Sequence, residues 1–196
     1  MRPMQSGKTN ILLVSGFGED ELPKLQENLY KTGKFGEIKF VAGCHWLHAL
    51  RDPENRIDAV EDALNELQFP KLIIGHSYGA LLSLAAACRK DIGKISGIFI
   101  NGPLNPDILV APPEGKWGFV AFMRHYAMRE QVARACTEVL AVNPKAAQRF
   151  TTFVSPDDAI VPPAAQQLPG ITSYELPGGH HLSSQKIAAI TQFISL

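Results

Sequence analysis

The chain has 196 residues, of which 45% are hydrophobic and 19% are charged, a size and composition that fit one globular domain spanning residues 1–196. It carries 19 basic and 19 acidic side chains, so its charge gives no reason to expect nucleic acid or an anionic membrane as a partner. Three cysteines are too few for a disulfide framework, and we interpret them as small buried hydrophobes.

The first ten residues are polar, and the apolar run that follows them has only four residues, 11–14. That run is too short for the core of a signal peptide or for a membrane span. We therefore expect a cytoplasmic protein with no membrane partner.

From residue 11 onward, short β-branched runs alternate with longer segments of helical periodicity. The segment 11–15 is apolar up to Ser15 and stops at a glycine, which is typical of a strand buried on both faces. Such alternation predicts a three-layer α/β/α sandwich with a mostly parallel sheet of about six strands. The predicted strands are 11–15, 37–42, 71–75, 94–100, 149–154 and 171–175, and the main predicted helices are 18–31, 56–67, 78–89 and 184–195.

One stretch, about 103–149, interrupts the alternation. It opens with a proline-containing loop and continues as a helical pattern from about 116 to 147, with no strand pattern. We interpret it as a lid-like insertion above the sheet rather than a separate domain.

The third predicted strand runs into the pattern Gly-x-Ser-x-Gly, with Ser77 between Gly75 and Gly79. A buried strand before the serine and a small-residue helix after it are the setting of a nucleophile elbow. The two glycines let the strand and helix backbones approach without Cβ clashes. Because Ser77 would then begin a helix, the backbone N–H of Tyr78 can donate to an oxyanion.

In this segment the chain resembles the α/β-hydrolase family. The resemblance implies an α/β-hydrolase-type fold, a Ser-His-acid triad and no cofactor. It also implies a second oxyanion donor in a Gly-containing loop after an early strand, where the N–H of Phe17 would pair with that of Tyr78. Many relatives have histidine where this chain has Ser15, so the match is partial, and a plain glycine turn is the alternative.

The acid of the triad should follow a late strand. The family pattern Asp-x-x-Val-Pro selects Asp158, with Asp157 as its nearest competitor and Asp107 as a rarer placement. Ordinary turn-forming aspartates are the alternative interpretation. The strand before this segment and the Val-Pro after it favour the triad acid.

The histidine should come last, in the loop before the final helix, and the segment at 176–182 lies there. Relatives usually show Gly-His followed by an apolar or aromatic residue, which favours His180 over His181. Adjacent histidines could also belong to a metal site, but their side chains diverge and no third ligand lies near in sequence. We expect no metal.

The resemblance implies attack of Ser77 on an acyl carbonyl, with His180 as base and Asp158 orienting it. Aromatic residues of the insertion are candidates for an acyl-binding lid, or else they anchor the insertion to the body: Trp117, Phe122 and Tyr126. A carboxylesterase acting on a small-molecule acyl ester is the main hypothesis. A thioesterase or acyltransferase, and a catalytically silent binding protein on the same fold, are the alternatives.

Overall fold

The computed structural model describes residues 7–16, 22–41, 54–90, 92–108, 110 and 116–196, and the side chains of 116–127 lie outside this description. Strands and helices alternate along these residues as the periodicity predicts. The strands are β1 (Asn10–Val14), β2 (Ile38–Val41), β3 (Lys71–His76), β4 (Ile95–Ile100), β5 (Phe150–Val154) and β6 (Thr172–Glu175). The helices are α1 (Leu22–Thr32), α2 (Glu54–Glu66), α3 (Tyr78–Arg89), α4 (Lys116–Val142), α5 (Pro144–Ala147) and α6 (Ser184–Ser195), with a 3-10 helix at Pro163–Gln166.

The six described strands form one sheet in the order β2-β1-β3-β4-β5-β6, and every neighbouring pair is parallel. From β1 the chain first adds β2 on one side and then β3 on the other, so the strand order reverses between β1 and β3. In open parallel sheets, ligands bind outside the carboxyl ends of the strands at such a reversal. The topology therefore directs attention to the residues that follow β1 and β3.

Helices cover both faces of the sheet, because successive strand residues point to opposite sides. In β1, Ile11 and Leu13 belong to the core that includes α1 and α6, whereas Leu12 and Val14 belong to the core that includes α2, α3 and α4. The three-layer sandwich predicted from the sequence is confirmed.

Helix α3 lies deepest, with every residue from Tyr78 to Ala87 buried, which explains its apolar character on all sides. Strand β6 forms one edge of the sheet, and its side chains are exposed.

The predicted helical stretch from 116 to 147 is divided. Helix α4 ends at Val142 and α5 begins at Pro144. A continuous helix does not run through this position, because proline has no amide hydrogen to donate and its ring clashes with the preceding turn. The second half of α4 packs against the core that contains α3, through Val132, Ala133, Cys136 and Leu140. Within the described part of the chain, no helix is long and apolar enough to cross a membrane.

Candidate active site

Ser77 lies on the sharp turn between β3 and α3. Its backbone has φ 55° and ψ −130°, a left-handed conformation that non-glycine residues seldom adopt. Hydrogen bonds on both sides hold this turn, from the Ser77 amide to the Ile100 carbonyl at 2.9 Å and from the Ala80 amide to the Ser77 carbonyl at 3.0 Å. Strain of this kind persists where the surroundings over-determine the backbone, as at a nucleophile elbow.

Glycines allow the close packing around this turn. A Cβ atom on Gly75 would lie 2.5 Å from the Cα of Ala80, and one on Gly79 would strike the carbonyl oxygens of Val14 and Ser15. No real Cβ tolerates such contacts with backbone atoms. The glycines therefore bring the ends of β1 and β3 against the start of α3.

A hydrogen-bonded chain links Ser77 to two residues from the far end of the sequence. Nε2 of His180 lies 2.9 Å from the Ser77 hydroxyl oxygen, and Nδ1 of the same ring lies 2.8 Å from Oδ2 of Asp158. The Asp158 side chain is fully buried and that of His180 is 9% exposed. Three residues separated by up to 103 positions thus meet at the carboxyl edge of the sheet.

The carboxylate of Asp158 has a partner for each oxygen. Oδ1 accepts from the amides of Ile160 at 2.8 Å and Val161 at 2.9 Å, and Oδ2 accepts from His180 and from the amide nitrogen of Gln166 at 3.0 Å. Burial alone would raise the pKa of this carboxyl. The hydrogen bonds from His180 and the two backbone amides outweigh burial, so the pKa of Asp158 is lowered and the group is ionised at neutral pH.

The competing acids lie elsewhere. Asp157 is exposed, and its carboxylate accepts hydrogen bonds from the amides of Gly178 and Gly179. These bonds, that from Gly179 foremost, lower the pKa of Asp157. Asp107 is exposed and pairs with Arg134 at 3.2 Å. Among the three candidate aspartates, Asp158 is thus the one whose carboxylate contacts the imidazole of His180.

His181, the second residue of the histidine pair, is exposed, and its ring centre lies 6.2 Å from that of His180. Its neighbour His180 is held by its backbone carbonyl, which accepts from Nδ2 of Asn101 at 2.7 Å and from Nε2 of His76 at 2.9 Å. His76, the last residue of β3, thus supports the loop that carries His180.

Three buried polar residues that the sequence analysis did not single out support this site: Asn101, Gln166 and Lys186. Asn101 follows β4 with φ 51°, and asparagine tolerates this conformation better than most residues. The side chain of Gln166 donates to the carboxylate of Asp158 and accepts from the backbone amide of Ser155, each at 3.0 Å. A polar residue directly after a predicted strand was the available signal for Asn101, but nothing local marks Gln166 or Lys186.

The predicted oxyanion loop is described up to Gly16, which lies against Ser77, and Phe17 lies outside the described residues. Tyr78 is the first residue of α3, and burial raises the pKa of its phenol. The side chains predicted to bind substrate also lie outside the description: Trp117, Phe122 and Tyr126. No group of three or more metal-ligating His, Cys, Asp or Glu side chains occurs in the part of the chain whose placement is described.

A sequence model described as "Alpha/beta hydrolase family" matches residues 15–188, so the chain belongs to the α/β-hydrolase family. No curated protein sequence matches the chain.

Solved structures share the fold at low sequence identity. A carboxylesterase structure from the thaumarchaeon Nitrososphaera gargenis has a TM-score of 0.65 at 16% identity, over 96% of this chain and 90% of that one. A structure from work on the metagenome-derived lipolytic enzymes LipS and LipT has a TM-score of 0.65 at 14% identity, over 96% and 93%. The esterase domain of a Rhodothermus marinus protein has a TM-score of 0.61 at 16% identity, over 98% and 87%.

Proposed function

We propose that the chain is a serine hydrolase that cleaves carboxylic esters, with Ser77 as nucleophile, His180 as general base and acid, and Asp158 as the orienting carboxylate. The observation that carries this proposal is the continuous hydrogen-bonded chain from Asp158 through both nitrogens of His180 to the Ser77 hydroxyl. The strained turn that presents Ser77 at the start of α3 supports it.

The hydrogen bonds of His180 support one placement of the protons. Ionised Asp158 can only accept, so Nδ1 of His180 carries the hydrogen of the 2.8 Å bond between them. In the neutral ring, Nε2 then has a lone pair directed at the Ser77 hydroxyl at 2.9 Å. His180 takes the proton of Ser77 as its oxygen attacks the ester carbonyl, and Asp158 stabilises the imidazolium that forms.

The negative charge that develops on the carbonyl oxygen needs donors at the start of α3. We assign these to the backbone amides of Tyr78 and Phe17, with the positive end of the α3 dipole contributing. One such donor is worth about 3 kcal/mol of transition-state stabilisation. The contact between Gly16 and Ser77 supports the placement of this loop beside the nucleophile.

The imidazolium of His180 next protonates the leaving alcohol, and an acyl group remains on Ser77. Water enters, gives its proton to the same ring, and attacks the acyl carbonyl. Collapse of this second intermediate releases the carboxylic acid and returns the proton to Ser77.

The choice of a carboxylic ester draws on the descriptions of the similar structures as an esterase, a carboxylesterase and lipolytic enzymes. We assign the acyl pocket to a lid-like insertion at about 103–149 within one domain, and we propose Trp117, Phe122 and Tyr126 as its substrate-binding residues. Thioesters undergo the same attack step, so a matched pair of ester and thioester substrates decides between an esterase and a thioesterase.

Labelling with a fluorophosphonate probe tests the nucleophile. We expect the wild type to be labelled, Ser77→Ala to be folded and unlabelled, and Ser184→Ala, which alters an exposed serine of α6, to be labelled as the wild type is. A folded wild type that resists the probe, or a Ser77→Ala protein that reacts with it, would overturn the proposal.

Ester hydrolysis by variants of the two adjacent histidines, measured over a series of acyl lengths, tests which of them is the base. His180→Ala should lose about 10⁴-fold or more in kcat, whereas His181→Ala, a matched change at the neighbouring exposed ring, should stay within about threefold of the wild type. The reverse order of effects would assign the base to His181 instead.

A further inference from the structure

Lys186 lies in the first turn of α6 with only 1% of its surface exposed. Its backbone amide donates to the hydroxyl of Ser183, which caps the helix. Its side chain runs inward, towards the loop that carries His180, and meets that loop at Gly179.

Two local effects oppose an ammonium group at this position. The amino end of a helix carries partial positive charge, and burial removes water from the cation. Burial is the larger influence on Lys186 and lowers its pKa, against the attraction of Asp158 and Asp157. A residue that breaks local preferences so clearly is expected where function requires it.

The ammonium of Lys186 has two hydrogen-bond acceptors within the protein. It donates to the hydroxyl of Ser155 at 2.6 Å and to the carbonyl of Gly179. The Ser155 hydroxyl lies 2.8 Å from both Oδ1 of Asn101 and the carbonyl of Leu176, and its single hydrogen serves one of them at a time.

Asn101 extends these contacts to His180. With its oxygen towards Ser155, its amide nitrogen donates to the carbonyl of Gly179 at 3.1 Å and to that of His180 at 2.7 Å. The carbonyl of Gly179 therefore accepts from both Asn101 and Lys186. A continuous path of buried and partly buried hydrogen bonds therefore runs from Lys186 to the backbone carbonyl of His180.

We propose that Lys186 is a positioning residue for His180: its ammonium, bonded to Ser155 and to the Gly179 carbonyl, holds Asn101 and the 179–180 backbone so that the imidazole meets Ser77. The catalytic consequence rests on the proposed function. Lys186 touches neither the Ser77 hydroxyl nor the imidazole, so its contribution is to the geometry of the reacting groups.

The test compares Lys186→Met with a matched loss of another buried ammonium. Lys71 lies at the amino end of β3, whereas Ser77 follows the carboxyl end of the same strand. Its side chain donates to the carbonyl of Leu64 at 2.6 Å. Misplacement by about 1 Å costs about 10²-fold in rate, so we expect kcat for an aryl ester to fall about 10- to 100-fold in Lys186→Met with KM within about threefold. Lys71→Met should leave both constants within about threefold.

Proton NMR gives a readout that does not depend on turnover. The wild type and Lys71→Met should show a downfield resonance from the proton between His180 and Asp158, and Lys186→Met should lose or broaden it. Preserved kcat together with a preserved resonance in Lys186→Met would overturn the proposal.

If Lys186→Met does not fold by circular dichroism, Ser155→Ala provides the test. It removes the hydroxyl between Lys186 and Asn101 and should lower kcat about fivefold or more with a weakened resonance. Wild-type behaviour in Ser155→Ala would then overturn the proposal. Failure of the wild type to react with a fluorophosphonate would refute the proposed hydrolase, whereas the NMR comparison would still decide the positioning role.

Discussion

Gly16 and Ser77 touch so closely that a Cβ atom on Gly16 would lie 2.7 Å from the Cβ of Ser77 and 3.1 Å from its hydroxyl oxygen. The first residue follows β1 and the second follows β3, two neighbouring parallel strands. Their contact brings Gly16 against Ser77 at the point where the strand order reverses.

Gly16→Ala should therefore displace the Ser77 side chain or the loop after β1. Because the reacting atoms need alignment to within a fraction of an ångström, we expect kcat/KM for an aryl ester to fall about 10²-fold. Gly93→Ala is the matched control, since a Cβ there meets nothing within 4 Å. Activity of Gly16→Ala within about twofold of the wild type would show that the loop can move aside without cost.

Asp158→Asn should reduce kcat by about 10⁴-fold, because the amide no longer stabilises the imidazolium and favours the wrong tautomer of His180. Asp157→Asn is the adjacent control. Its exposed carboxylate contacts the amides of Gly178 and Gly179 rather than the ring, so we expect a loss of less than about tenfold. Steady-state kinetics on the two variants would contradict this assignment if Asp157→Asn were the more damaging change.

Gln166→Leu should destabilise the fold by about 2 kcal/mol or more. The side chain is fully buried, and its loss leaves the Ser155 amide without its acceptor and the Val161 carbonyl without its donor at 2.6 Å. Gln167→Leu alters the next residue, which is exposed, and should change the free energy of unfolding by less than about 0.5 kcal/mol. Urea unfolding monitored by circular dichroism measures both, and equal midpoints for the two variants would be inconsistent with the role of Gln166.

The lowered pKa of Asp158 links stability to pH. Because the folded state holds this carboxyl ionised more strongly than the unfolded state does, its contribution is present above the ordinary aspartate value near 4 and is lost as the pH falls through the lowered pKa. The difference in free energy of unfolding between the wild type and Asp158→Asn should therefore be larger at pH 7 than at about pH 3. A difference that grows on acidification would contradict the direction of the shift.

Local patterns were sufficient to predict the architecture. A buried strand needs a continuous apolar run and a covering helix needs an apolar stripe, so periodicity alone predicted the alternation and the parallel sheet. The strained strand-to-helix turn at Ser77 was also predictable, because its glycines, serine and flanking elements are contiguous in sequence. The oxyanion amide of Phe17 and the pocket residues Trp117, Phe122 and Tyr126 stay predictions.

The sequence by itself determined the layers of the sandwich and the chain order of the candidate groups, since both depend on short-range patterning. Only the tertiary structure decided that His180 rather than His181 meets the Ser77 hydroxyl, and that Asp158 rather than Asp157 meets the ring of His180. Adjacent side chains of similar chemistry differ only in the direction their backbone gives them. The same holds for Asn101, Gln166 and Lys186. Asn101 directly follows β4, Gln166 ends the 3-10 helix, and Lys186 lies in the first turn of α6. They acquire a common environment only when the fold brings these separate segments together.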